Sequence, residues 1–341
     1  MFLSKFKTEI VKTLLFPLAA LVCLLMLITN YLILNSNSQF HLRNPIKKVV
    51  ERNHVINPEL NSYLNIILEP MKLCEKNLKK KFIFIYVFVA VASFEKRDVI
   101  RRTWANKMFE HIQVAFIIGK SSIPDINLRA EKEHKKFNDL LQGNFIDAYR
   151  NLSYKSLISW KWILSSECSA AKYIVKMDDD LVLNTFNLIR FLNDENKFYP
   201  HVNFSIPLKL TFFGEIFNMR PIKDINSKWY VTDKEYNKEL YGIDHYSNYC
   251  NGPSVVMTSD LIQQLYDKSY DIKVFWIDDV YVGILGRYIN ANFVQGVSKF
   301  IGINHIANVK NNDLFLFVKG TTSTKDFESV WSILQKEFKS E

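Results

Sequence analysis

The chain has 341 residues, 48% hydrophobic, 14% aromatic and 23% charged, ample apolar surface to offset chain entropy, which excludes a disordered protein. Four scattered cysteines (Cys23, Cys74, Cys168, Cys250) exclude a disulfide scaffold, no C-x-x-C or H-E-x-x-H offers zinc, and ten glycines build neither G-x-G-x-x-G nor G-x-x-x-x-G-K-[ST], which removes the dinucleotide fingerprint and the P-loop. The net charge of +9 is dispersed apart from Lys79-Lys80-Lys81 and Arg101-Arg102; it fits anionic small molecules such as nucleotide diphosphates, and no nucleic-acid partner is expected.

The first element is a membrane anchor. Thr13–Leu42 contains no Lys, Arg, Asp or Glu, and the 21 residues Leu14–Leu34 are nearly all apolar. At about 1.5 Å per residue they span roughly 31 Å, the thickness of a hydrocarbon core and more than a cleaved signal peptide needs. Lys5, Lys7 and Lys12 precede the span and Arg43, Lys47, Lys48 and Arg52 follow it, so positive-inside counting is a draw. The short leading segment favours a signal-anchor with residues 1–13 cytoplasmic and the bulk translocated. The sequons at Asn151 and Asn203 suit a lumenal domain. Residues 35–70, polar and Asn-rich with Pro45, Pro58 and Pro70, read as a stem, leaving 71–341 as the folded domain.

Within that domain Phe82–Ala92 is a continuous β-branched and aromatic run, the mark of a strand buried on both faces of a parallel sheet. A polar stretch, Arg97–Met108, leads to a second apolar run, Val114–Ile118, closed by Gly119. Leu128–Leu141 reads as an exposed charged helix, followed by a short strand around Phe145. Tyr154–Ser166 is predicted as a helix from Leu157, Trp160 and Leu164. Tyr173–Met177 is another buried strand. Alternating strands and helices predict an α/β domain with a mostly parallel sheet flanked by helices, whose ligands bind beyond the carboxyl ends of the strands.

At such an end stands Asp178-Asp179-Asp180. In extended chain Asp178 and Asp180 point the same way, and two carboxylates there favour a hard divalent cation, Mn²⁺ or Mg²⁺. An acidic turn or helix cap is the other reading. Asp278-Asp279 follows Val274–Ile277 and opens a predicted helix, Val280–Tyr288; it reads as an N-cap or, beside an apolar wall, as a general base. His305 is a further metal ligand or a structural histidine. Arg97 and Arg101 share one face of their segment, as phosphate ligands or as ion-pair partners.

Together these stretches resemble the β-1,3-galactosyltransferase family, which includes β-1,3-N-acetylglucosaminyltransferases. The match runs in order from Cys74 through Arg97-x-x-Ile100-Arg101-x-Thr103-Trp104, Phe145-x-Asp147-x-Tyr149-x-Asn151-Leu152 with Lys155, and Trp162, Cys168 and Ala171-Lys172-Tyr173. It continues through Lys176-x-Asp178-Asp179-Asp180, Arg220-Pro221-x-x-Asp224-x-x-Ser227-Lys228-Trp229-Tyr230 and Asp279-Val280-Tyr281-Val282-Gly283 to Asn304-His305.

The resemblance implies a single-pass type II Golgi membrane protein with a GT-A-like domain that uses a UDP-sugar and Mn²⁺ to form a β-1,3 bond with inversion on a glycoprotein or glycolipid glycan. Galactose is the expected sugar and N-acetylglucosamine the alternative; a catalytically silent glycan-binding protein is the rival from another class. By position, Asp279 is the expected base, Asp178, Asp180 and His305 the expected metal set, and Arg97, Arg101, Lys155, Asp178 and Asp179 the expected nucleotide-sugar contacts. Cys74 and Cys168 both sit just before strands at one sheet edge in an oxidising lumen and are expected to pair, leaving Cys250 free. Two departures stand out. The family's Glu before the second Asp is Asp278 here, and its Gly-x-Gly-Tyr becomes Gly252-Pro253-Ser254-Val255, which changes the wall beside the acceptor.

Overall fold

The computed structural model describes residues 60–75, 82–106, 109–198, 202–203, 208–295 and 300–338. The expected cytoplasmic tail, the anchor Leu14–Leu34 and most of the stem lie outside them. Among the described residues no helix is long and apolar enough to cross a membrane.

The strands in chain order are β1 (Ile66–Leu68), β2 (Ile83–Phe88), β3 (Ile112–Lys120), β4 (Leu140–Ile146), β5 (Tyr173–Asp178), β6 (Leu181–Leu183), β7 (Thr211–Gly214), β8 (Ile216–Phe217), β9 (Tyr249–Cys250), β10 (Ser254–Thr258), β11 (Asn292–Gln295), β12 (Phe300–Gly302) and β13 (Phe317–Lys319). Eight of them form one sheet in the order β1-β4-β3-β2-β5-β10-β7-β11. The apolar runs do become its centre: every residue of β2 is buried, and β2 runs parallel to both β3 and β5.

The sheet is mixed rather than simply parallel. Four neighbouring pairs are parallel and three antiparallel, because β10 is reversed between β5 and β7 and β1 is reversed on β4. Pairing of Ile66 with Gly143 also moves the start of the folded domain upstream of the boundary expected at residue 71. The helix after β2 is Phe94–Arg102, which overlaps the first half of the stretch Arg97–Met108 expected to be merely polar. The charged helix is Pro124–Phe137, shifted toward the N-terminus because Asn138 ends it in the left-handed conformation and Leu140 already begins β4.

Apolar side chains fill both faces of the sheet. On one side pack Val99 and Ile100, Leu188 and Phe191, and Phe327 and Val330, from helices Phe94–Arg102, Thr185–Asn193 and Thr324–Phe338. On the other pack Leu157 and Trp160, Leu261 and Leu265, and Val280 and Ile284, from helices Leu152–Leu164, Asp260–Ser269 and Asp278–Tyr288. The result is a three-layer α/β/α domain. Cys74 and Cys168 form a disulfide across 94 residues, with Cα atoms 5.1 Å apart, and Cys250 is free and buried.

Candidate active site

The site forms where β5 ends. Asp178 lies opposite Phe88 of β2, and its amide donates to the Pro253 carbonyl at 2.9 Å. Just before it, Lys176 is a cation inside a strand whose other residues through Met177 are apolar and buried. Its ammonium donates to Asp178 Oδ1 at 2.7 Å and to the Gly252 carbonyl at 2.6 Å, and lies 3.5 Å from Asp278 Oδ2. Burial disfavours that charge, but Asp178 and Asp278 outweigh it and raise the Lys176 pKa. Sequence reasoning gave Lys176 no role, although a lysine inside an apolar strand run is itself the signal, since lysine is almost never buried unless paired.

The second acidic pair reaches this point through helix Asp278–Tyr288. Gly283 lets the helix lie against β9: a Cβ there would stand 2.5 Å from Tyr249 Cβ and 2.6 Å from the Asn248 carbonyl oxygen. Its first turn thereby meets Gly252, whose amide donates to Asp279 Oδ2 at 3.0 Å, while Val280 N–H donates to Oδ1 at 2.8 Å. No side chain caps this helix from Ile277, and both aspartates lie within the first turn. Burial, then the neighbouring Asp278 charge, pushes the Asp279 pKa up to about 7, against the opposing pull of Lys176 and the two amides. Burial likewise raises Asp178 to about 6, with Lys176 opposing. Lys176, Asp278, Asp279, Gly252, Cys250 and Val255 line one cavity. The departure at Val255 thus falls on the wall beside Asp279, and Ser254 is fully buried with its hydroxyl unpartnered among the described residues.

The expected metal set is placed differently. The strand stops at Asp178 and Asp179-Asp180 form a turn, so the alternation that would align Asp178 with Asp180 does not hold. Asp178 is engaged by Lys176, and Asp179 lies 3.6 Å from the Lys96 ammonium. Asp180 is exposed. In the small sheet β12-β13-β6, Gly302 pairs with Lys319 and Lys319 with Leu181, which brings the exposed His305 and Asp180 to one end of that sheet. Among the described residues no three His, Cys, Asp or Glu side chains stand close enough to hold a metal ion. The exposed Asp180 carboxylate is the donor type that suits Mn²⁺ or Mg²⁺.

Three expected nucleotide contacts are committed elsewhere. Arg97 is wholly buried: Nε and Nη2 bind Glu133 at 2.8 and 2.6 Å, and its remaining bonds reach the Ala90 and Val91 carbonyls. Arg101 makes a bidentate pair with Asp139 at 2.7 and 2.8 Å and also meets Glu133. Lys155 is buried against Asp147 Oδ1 and the Val89 carbonyl, each at 2.8 Å, while Asp147 Oδ2 accepts from Val91 and Gly119 amides. These cations therefore tie together the loops beyond β2 and β4 and the helix-to-strand connection that leads into β4. The side-chain Nδ2 of Asn151 donates to the Ile146 carbonyl at 2.8 Å and Ser153 of the same sequon is buried and donates to the Phe275 carbonyl; Asn203 is exposed.

A carboxylate poised near neutrality in a cavity at strand ends, beside a second acidic turn, is an arrangement suited to acid–base group transfer. Comparison with known proteins defines the class. The galactosyltransferase family model matches residues 95–295. Mouse and human proteins named beta-1,3-galactosyltransferase 1 are each 33% identical over 258 residues, covering 74% of this chain and 72% of theirs. Lactosylceramide 1,3-N-acetyl-beta-D-glucosaminyltransferase A of Xenopus laevis is 31% identical over 216 residues, 59% of this chain and 53% of that protein. The solved galactosyltransferase LgtC, in complex with donor and acceptor sugar analogs, aligns at TM-score 0.35 with 8% identity over 73% of this chain and 95% of its own, a likeness too low to add to the assignment. The protein is a glycosyltransferase. More narrowly, the chain belongs to the β-1,3-galactosyltransferase family.

Proposed function

We propose that this glycosyltransferase transfers galactose from UDP-galactose to a glycan hydroxyl in β-1,3 linkage with inversion, on a GT-A-like domain anchored in the Golgi membrane by Leu14–Leu34. The observation that carries the reading is the Asp279 carboxylate, lining the cavity and held by the Gly252 and Val280 amides with its pKa near 7. A general base works best when its pKa lies near the working pH. Asp279 takes the proton of the attacking acceptor hydroxyl, and Lys176 keeps Asp178 and Asp278 compatible beside it. Asp180 and His305, at one end of the small sheet, would hold Mn²⁺, which when bound would neutralise charge on the departing diphosphate. The likeness to the Xenopus enzyme favours one competing donor, UDP-N-acetylglucosamine.

The test is to incubate the full chain, purified in detergent, with Mn²⁺ and a panel of UDP-sugars, and to score UDP release with and without glycan acceptors. Acceptor-stimulated release from UDP-galactose alone is expected. Stimulated release from UDP-N-acetylglucosamine instead would install the competing donor.

A further inference from the structure

Aromatic side chains in this domain are mostly interior; Trp104 and Trp160 are completely buried. Tyr149 and Trp229 are exceptions, 50% and 42% exposed, and they touch. Trp229 Nε1 donates to the Tyr149 hydroxyl at 3.0 Å. The Lys228 ammonium lies 4.3 Å from the Trp229 ring centre and 5.8 Å from that of Tyr149. Tyr149 meets Trp276 edge-on at 6.2 Å, and the Arg150 guanidinium covers Trp276 at 4.2 Å. Two exposed rings thus bond each other and contact Lys228 and Trp276, with Arg150 over Trp276 behind them.

Their place in the fold connects them to the carboxylates. Tyr149 opens the turn Tyr149–Asn151 that follows β4. Trp276 lies two residues before Asp278. Through its edge-on contact with Trp276, Tyr149 adjoins the segment that carries Asp278 and Asp279.

We propose that Tyr149 and Trp229 form an aromatic plate that stacks a pyranose ring of the acceptor glycan at the mouth of the Asp279 site. A pyranose presents an apolar C–H face and a rim of hydroxyls, and it matches rings with an apolar body and a polar edge. Two rings bordered by the charges of Lys228 and Arg150 suit one or two sugars and are too small and too polar-rimmed for a lipid surface or a stable protein interface. Their pre-set geometry lowers the ordering cost of binding. The plate is assigned to the acceptor because Tyr149 meets Trp276, two residues before Asp278, and Asp278 and Asp279 line the cavity of the proposed base; in that respect it rests on the function proposed above.

The experiment measures initial rates of the full chain in detergent with UDP-galactose and Mn²⁺. The acceptors are methyl β-galactoside, methyl β-N-acetylglucosaminide, lactose and N-acetyllactosamine. Trp229→Ala and Tyr149→Ala are expected to raise the acceptor KM about tenfold, while the UDP-galactose KM and acceptor-independent UDP release stay within about twofold of wild type. Trp229→Leu keeps apolar bulk without the flat face and should lose acceptor affinity too; a wild-type acceptor KM in that folded variant overturns the plate. An equal rise in donor KM also overturns it. If the wild type transfers to none of these sugars, titration of its tryptophan fluorescence with the same four separates the two ideas: quenching that disappears in Trp229→Ala supports the plate while the proposed reaction falls, and absence of quenching in wild type removes the plate.

Discussion

Lys176 and Asp279 are joined through one residue, Gly252, whose carbonyl accepts from the lysine at 2.6 Å and whose amide donates to the aspartate at 3.0 Å. The lysine also meets Asp178 and Asp278. One buried cation therefore ties the acidic turn at the end of β5 to the first turn of a helix a hundred residues later in the chain.

Replacing that cation should be costly. Lys176→Met leaves Asp178 and Asp278 without their counter-charge and the Gly252 carbonyl without its donor. Breaking a buried pair by removing one partner costs about 3–5 kcal/mol; Asp178 is about a third exposed, so the expected loss is at the low end, about 3 kcal/mol. Urea denaturation of the variant measures it, and a loss below about 1 kcal/mol would show that the acidic groups do not depend on Lys176.

The acid–base behaviour of Asp279 gives a pH dependence with a definite sign. Burial and Asp278 push its pKa up to about 7, and a base must be ionised to work. Transfer should fall about tenfold per pH unit below 7 and level off above it. Asp278→Asn removes the second of these causes, so the acid limb of kcat/KM should move to lower pH. Because the folded pKa is raised, the stability this group contributes is full below about pH 4 and is lost as pH rises through 7. Melting temperature without Mn²⁺ should decline across that window, and the decline should shrink in Asp279→Asn.

Arg97 separates a structural cation from a ligand. Its guanidinium is wholly buried on Glu133 and two carbonyls. Arg97→Met should cost about 3 kcal/mol, the low end for a broken buried pair, because Glu133 keeps Arg101 while the Ala90 and Val91 carbonyls lose their donor, and in the protein that still folds the UDP-galactose KM should match wild type. A donor KM raised tenfold in a variant of unchanged stability would return Arg97 to the nucleotide.

How far the sequence reveals all this depends on whether the signal is local. The buried strands are legible because continuous apolar runs such as Phe82–Ala92 and Tyr173–Met177 have few alternatives, and each contains a strand. The reversed direction of β10 is not legible, since strand direction follows from how the segment 215–253, with β8 and β9 in it, returns to the sheet, which no local pattern encodes. The arginines mislead for a related reason: four-residue spacing puts Arg97 and Arg101 on one face of helix Phe94–Arg102, but it cannot say that Glu133 and Asp139, thirty or more residues on, come to that face. Alternation fails at Asp179-Asp180 because it presumes extended chain where the chain turns.

Asp279→Asn distinguishes a helix-opening residue from a base. Asn is nearly as good an N-cap as Asp, but here each carboxylate oxygen accepts from a different amide, Gly252 at 3.0 Å and Val280 at 2.8 Å. An amide has one acceptor oxygen, so the variant loses one of these bonds, at a cost of about 1 kcal/mol, more than simple capping would predict. An amide also takes up no proton at neutral pH. If Asp279 is the base, transfer should fall at least about a hundredfold, within the 10²–10⁴ range typical of lost general-base catalysis. UDP binding in the presence of Mn²⁺, measured by calorimetry, should persist, because Asp178, Asp180 and His305 are untouched. Near wild-type turnover in a folded Asp279→Asn protein would transfer the role to Asp278, whose carboxylate lies 3.5 Å from Lys176 and lines the same cavity.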